Sequence, residues 1–179
     1  MIHGVPNVDP VRRDALVELL EVDLEWSMMR VSDGQRRRVQ LVLGLLHPFH
    51  CLLCDEVTVD LDVCARLDLL AFFKRETEER GATIVYATHI FDGLEAWPTH
   101  VAYMEDGVMK VCDSVGNVPE LFGGGMVGSQ SRLLATMEEW LRRERDARVA
   151  RGGGSLLLPK AAPRSSGPVF SNRQMSHYR

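Results

Sequence analysis

Lysine is nearly absent from this chain. Of its 179 residues only Lys74, Lys110 and Lys160 are lysines. None follows a glycine or precedes a serine or threonine, so the phosphate-cradling pattern G-x-x-x-x-G-K-[ST] occurs nowhere. Aromatic residues are also scarce at 7%. No run approaches about 18 uninterrupted apolar residues, which excludes a membrane-spanning helix from the sequence. The N-terminal stretch Met-Ile-His-Gly-Val-Pro-Asn-Val-Asp-Pro has neither the basic nor the apolar region of a secretory signal, so a cytoplasmic address is expected. Cysteine is limited to four residues, and without export signals these are expected as reduced thiols.

What is present is an ordinary soluble composition, 45% hydrophobic and 26% charged, divided unevenly by sign. Residues 1–141 hold 12 Lys and Arg against 23 Asp and Glu, and residues 142–179 hold 9 against 2. An acidic body argues against a nucleic-acid surface, and the Arg-rich stretch 142–151 lacks the aromatic platform that single-strand binding uses. The basic tail, 151–179, is dominated by Gly, Pro, Ser and Arg without a hydrophobic period, which predicts disorder.

Periodicity predicts an amphipathic helix over Asp9–Val22, opened by Asp9 and Pro10. A second helix starts at Ser32, where Ser32-Asp33-Gly34-Gln35 matches the S-x-x-Q capping box, and stops before Pro48. Further elements are a strand at His50–Cys54, a helix at Val63–Arg80 closed by Gly81, a strand at Ala82–Ala87, and a short helix around Asp92–Ala96. A hairpin of Val101–Met104 and Val108–Val111, a Gly/Ser-rich loop at Phe122–Ser131 and a helix at Leu133–Arg148 complete the pattern. Strands alternating with helices predict an α/β fold with a mostly parallel sheet and an antiparallel end.

His47, His50, Cys51 and Cys54 read together as HxxHCxxC, which invites a zinc assignment. On a strand, however, residues three apart point to opposite faces, and no second ligand pair completes four positions. Both cysteines are therefore expected in the core.

Three segments carry the chemistry. In Ser32–Gln35 the small Gly34 allows close backbone approach at a capped helix N-terminus, where N–H groups and the helix dipole favour an anion. Asp55 and Glu56 follow an apolar strand, at the edge where open α/β sheets bind ligands. One carboxylate there suits Mg²⁺, directly or through water, and the other suits a water molecule. His89 lies just past another strand, at the same edge.

In this order and spacing, the segments resemble the ABC-type ATPase domain, with its signature motif, Walker B strand, D-loop and switch histidine, over roughly residues 10–120. More narrowly, VSDGQRRRVQ, DEVTVDLD, GATIVYATHIFDGLE and the terminal SNRQMSHYR look like the soluble ABC proteins of plant family I, which lack a membrane domain. The resemblance implies ATP and Mg²⁺ as ligands, with Glu56 as general base, His89 on the γ-phosphate and Asp55 holding Mg²⁺, through water. Ser32, Gly34 and Gln35 would cap the γ-phosphate bound by an opposing subunit, and Asp62 would be the D-loop aspartate at the dimer interface.

Asp33 departs from the usual Gly, and Val57 from the usual Pro. The absent Walker A pattern further implies the C-terminal part of a P-loop ABC ATPase domain, one that retains the helical signature subdomain. Residues 1–121 are then a partial ATPase domain, 122–150 a linker and helix, and 151–179 a disordered tail. A homo- or heterodimeric ABC-type partner would supply the P-loop. The competing expectation is a non-catalytic interaction module or inactive fragment.

Overall fold

The computed structural model describes residues 5–121, 126–127 and 130–151. The expected tail, 151–179, lies outside them apart from Arg151. The chain divides into two compact units, Met1–Glu138 and Glu139–Arg179.

In the first unit, helix α1 (Pro10–Leu19) begins where Asp9 accepts a hydrogen bond from the Val11 amide, with proline at its first position. It ends before the predicted Val22, because Glu21 takes a positive φ of 49°. Helix α2 (Asp33–Leu45) opens on the predicted capping box. The Ser32 hydroxyl accepts from the Gln35 backbone amide at 3.2 Å, and the Gln35 side-chain Oε1 accepts from the Ser32 backbone amide at 2.9 Å.

Strand β1 (Cys51–Asp55), helix α3 (Val63–Arg80) and strand β2 (Thr83–Ala87) then form a βαβ unit. Asp62 caps α3 through the Ala65 amide at 3.0 Å. Gly81, at φ 67°, closes it in the left-handed conformation, and the amides of Gly81 and Ala82 donate to the Thr77 and Glu76 carbonyls.

Strands β1 and β2 pair in parallel, with Cys51 opposite Thr83 and Asp55 opposite Ala87. Their inner face, Leu52, Cys54, Ile84 and Tyr86, packs on a core of Leu16, Leu20, Val42, Leu45, Leu69 and Phe73 contributed by the three helices and the cap of α1. Burial of side chains of this size contributes about 1.5–3 kcal/mol each. The outer face is uncovered: Leu53 is 75% exposed, Val85 is 53% exposed, and Cys51 is exposed as well. The expectation of two core cysteines thus holds for Cys54 and fails for Cys51. The strand points their sulfurs apart, and nothing among the described residues covers the face that carries Cys51.

The expected helix around Asp92–Ala96 is replaced by two successive turns, Leu94 to Phe91 and Trp97 to Leu94. Gly93 at φ 81° leaves the helical region there, and Pro98 follows within a turn.

The hairpin is longer than expected, β3 (His100–Glu105) against β4 (Val108–Ser114), with a register shift at Tyr103/Met104. It forms its own two-stranded sheet instead of continuing the parallel pair. Within the expected Phe122–Ser131 loop, Met126–Val127 (β5) pairs antiparallel with Gln130–Ser131 (β6), and residues 122–125 and 128–129 lie outside the described residues. Helix α4 (Arg132–Ala150) follows. Thr136 donates to the Glu120 carbonyl at 3.2 Å beside buried Val118, Leu121, Leu133 and Met137.

The second unit is described over residues 139–151, where Glu139–Arg143 and Glu144–Arg148 ion pairs lie one helical turn apart. No described helix is long and apolar enough to cross a membrane.

Candidate functional site

Because β1 and β2 are parallel and end level, at Asp55 and Ala87, the residues that follow them emerge side by side at the carboxyl edge of the sheet. The Glu56 amide donates to the Ala87 carbonyl at 3.0 Å, which extends the ladder by one bond. Glu56 then turns with φ 48°, a left-handed conformation that costs a non-glycine residue about 1–3 kcal/mol. Its carboxylate meets β2's continuation: Oε1 lies 2.6 Å from Nδ1 of His89, and Oε2 accepts from the Thr88 hydroxyl at 3.3 Å. The Thr88 hydroxyl in turn accepts from the Ile90 amide at 3.0 Å. His89 is 72% exposed and Glu56 36% exposed by side chain, so the pair is open to solvent. Below it, fully buried Thr58 bonds the Tyr86 hydroxyl at 2.6 Å and anchors the segment beyond Glu56.

Asp55 stands apart from this pair. It shares the uncovered face of β1 with Cys51 and Leu53, and its carboxylate is exposed to solvent. The described residues contain no cluster of three or more His, Cys, Asp or Glu fit to hold a metal ion. A divalent cation at Asp55 would therefore take its remaining ligands from water and substrate oxygens, which suits Mg²⁺.

A second group gathers at the N-terminus of α2. The capping box orders Ser32 and Gln35, and a Cβ placed on Gly34 would approach the Asp60 carbonyl to 3.0 Å. The segment 60–62 is thus packed against the helix entrance. Asp62 spends both oxygens within the chain, Oδ1 on the Ala65 amide and Oδ2 on Arg38. The Ala65 amide and then Arg38 hold its carboxyl below the usual range. Asp33, the departure from the usual Gly, pairs with Arg36 at 3.1 Å, which offsets part of its charge.

Thr88, Arg37 and Arg38 escaped the sequence reading. Arg36, Arg37 and Arg38 look like one solvated basic run, yet successive helical positions are about 100° apart and the three diverge. Arg36 turns out to Asp33, and Arg38 bonds the Leu20 carbonyl, Glu21 and Asp62. Arg37 donates to the Glu56 carbonyl at 3.2 Å. Three arginines directly after a capping box were the available signal that this helix grips several neighbours.

No family model matches the chain. Among characterised proteins it is 50% identical over 179 residues to ABC transporter I family member 21 of Arabidopsis thaliana, covering all of this chain and 58% of that protein. It is 55% identical over 146 residues to family member 20 of the same plant, covering 82% of this chain and 42% of the relative. CCR4-associated factor 16 of Saccharomyces cerevisiae is 57% identical over 104 residues, 58% of this chain and 35% of its own length. The chain therefore spans about half the length of these relatives.

Among solved structures, a dimeric ATP-binding cassette in a post-hydrolysis state with ADP and Pi superposes with a TM-score of 0.51 at 22% identity. That match covers 58% of this chain and 46% of the cassette. The fold is that of part of such a cassette.

Proposed function

We propose, on the premise that this chain is a relative of the ABC transporter I family proteins, that it contributes the signature and Walker B elements of an ABC-type ATPase. These 179 residues hold no P-loop pattern, and the reading takes that element from a dimeric ABC-type subunit or from chain outside them. The single observation that carries the reading is the Glu56–His89 pair at the carboxyl edge of two parallel strands.

In this role Glu56 accepts a proton from the attacking water and directs it towards the γ-phosphate. A carboxylate held by hydrogen bonds at a fixed position suits that task better than a freely rotating one. With Nδ1 donating to Glu56, His89 contacts a phosphate oxygen through Nε2 as the imidazolium, in which both ring nitrogens donate. Asp55 would hold Mg²⁺ through water, and the ion when bound would neutralise phosphate charge. Ser32, Gly34 and Gln35 present the α2 N-terminus to a nucleotide held opposite, where backbone N–H groups and the helix dipole favour the γ-phosphate. Asp62 orders the segment facing the same nucleotide. The partner is a homo- or heterodimeric ABC-type subunit, and the cassettes of similar fold are dimeric. The exposed apolar face of Leu53 and Val85 supports a further protein surface packing there. The reading places these residues in the cytoplasm and involves no nucleic acid.

A chimera that joins residues 1–150 to the P-loop lobe of a relative tests this. Turnover should appear, and Glu56→Gln should lower it about 10²–10⁴-fold while ATP binding persists. An active chimera indifferent to Glu56→Gln would remove the assignment. The uncovered apolar face of Leu53 and Val85 also suits a second reading, a non-catalytic interaction module. A folded chimera that binds ATP and never hydrolyses it, even with Asp33→Gly, would support that module.

A further inference from the structure

We propose that Arg37 is a positioning residue for Glu56, tying the angle of its carboxylate to the seating of helix α2. The proposal deepens the reading of Glu56 as the base and rests on it.

Glu56 is pinned from both sides of its Cα. Its amide donates to the Ala87 carbonyl of β2 at 3.0 Å, and its carbonyl accepts from Nη2 of Arg37 at 3.2 Å. Together these bonds fix the two peptide planes that flank a φ of 48°. A non-glycine residue keeps such a conformation only where its surroundings impose it. The direction in which the side chain leaves the backbone follows from those planes, and that direction brings Oε1 to within 2.6 Å of His89. Release of the carbonyl would let the peptide relax and swing the carboxylate away.

The arginine itself shows that it is held there against a cost. Its Nε is buried and has no hydrogen-bond partner, an arrangement that native proteins rarely retain without use. Its neighbours Arg36 and Arg38 bond away from Glu56, to Asp33 and to Glu21 and Asp62, so Arg37 is the member of the run that reaches Glu56. It also sits less than two turns from the Ser32 cap. Any shift of the α2 N-terminus, the end proposed to meet nucleotide, is therefore transmitted to the Glu56 carbonyl through one side chain.

Nuclear magnetic resonance of the uniformly ¹⁵N-labelled full chain, without nucleotide, tests the proposal apart from any turnover. Arg37→Met should move the His89 imidazole resonances in the same direction as Glu56→Gln does, and should speed exchange of the Glu56 amide about tenfold, the order of one lost hydrogen bond. Arg37→Lys, which keeps a donor on a long stem, should restore both. The Trp97 indole resonance, bonded to the Leu70 carbonyl at 2.8 Å, should stay in place and separate local release from general loosening.

Wild-type His89 and Glu56 signals in a folded Arg37→Met protein would overturn the proposal. Should that variant not fold, Arg37→Gln replaces it, since the shorter amide falls short of the carbonyl, and unchanged His89 signals there would overturn the proposal equally. If Glu56→Gln moves His89 and Arg37→Met does not, positioning fails and the base assignment stands. If Glu56→Gln itself leaves His89 unmoved, the pair does not exist in solution and both fall.

Discussion

Arg12 of α1 meets Glu76 of α3 with two hydrogen bonds, at 2.8 and 3.1 Å, both side chains less than 10% exposed. The same guanidinium donates to the Leu45 carbonyl at 2.7 Å, satisfying the end of α2, and lies over the ring of Phe72 at 5.3 Å. One buried cation thus joins the three helices on which the sheet rests.

The geometry predicts an order of effects. Glu76→Leu strands the Arg12 charge in the core and should destabilise by about 3–5 kcal/mol. Arg12→Met should cost less, because Glu76 retains Arg80 at 3.6 Å. The double variant should cost least, since a matched apolar pair leaves no buried charge. Urea midpoints of the four proteins check this, and strictly additive losses would contradict it.

Acid should weaken the contact between α2 and the entrance of α3. The Asp62 carboxyl is held below its usual range by the Ala65 amide and by Arg38, so its folded pKa lies under the unfolded value of about 3.9. A group depressed on folding stabilises fully above the unfolded value and loses that contribution as pH falls through the folded one. Asp62→Asn keeps a capping oxygen and removes the charge. The stability gap between wild type and this variant should therefore shrink from pH 7 to about pH 3. An equal gap at both would refute the assignment. The exposed setting keeps the effect small.

Gly34→Ala should destabilise, reversing the usual gain of about 0.5–1 kcal/mol for alanine over glycine in a helix. The new methyl would press on the Asp60 carbonyl at 3.0 Å, and a backbone atom yields poorly. Thermal melts and the amide resonances of residues 60–62 report the displacement. A stabilised variant with those resonances unmoved would show that the helix entrance and this segment are not in contact.

Thiol labelling should split the cysteines. Burial pushes the Cys54 thiol up to about 11, so at pH 8 it holds little thiolate and admits no reagent, whereas Cys51, Cys64 and Cys112 are exposed. Peptide mass spectrometry after brief maleimide treatment should find the exposed three modified and Cys54 spared until urea is added. Early modification of Cys54 would mean that the inner face of β1 opens readily.

Features that depend on neighbours within a few residues were legible in the sequence, since their hydrogen bonds close locally. The Ser32–Gln35 capping box spans three residues, the Val63–Arg80 helix runs from its own cap to Gly81, and the apolar run before Asp55 makes a strand. The candidate residues were proposed from the order of Ser32–Gln35, Asp55–Glu56 and His89 along the chain and from the resemblance that this order carries. What only the tertiary structure decided is how those residues are held. Arg37 and Glu56 are 19 positions apart and Glu56 and His89 are 33 apart, so their bonds follow from how α2 docks and from the level ends of β1 and β2. The same physics separated Cys51 from Cys54: alternation along the strand sets them on opposite faces, and packing decides which face is covered.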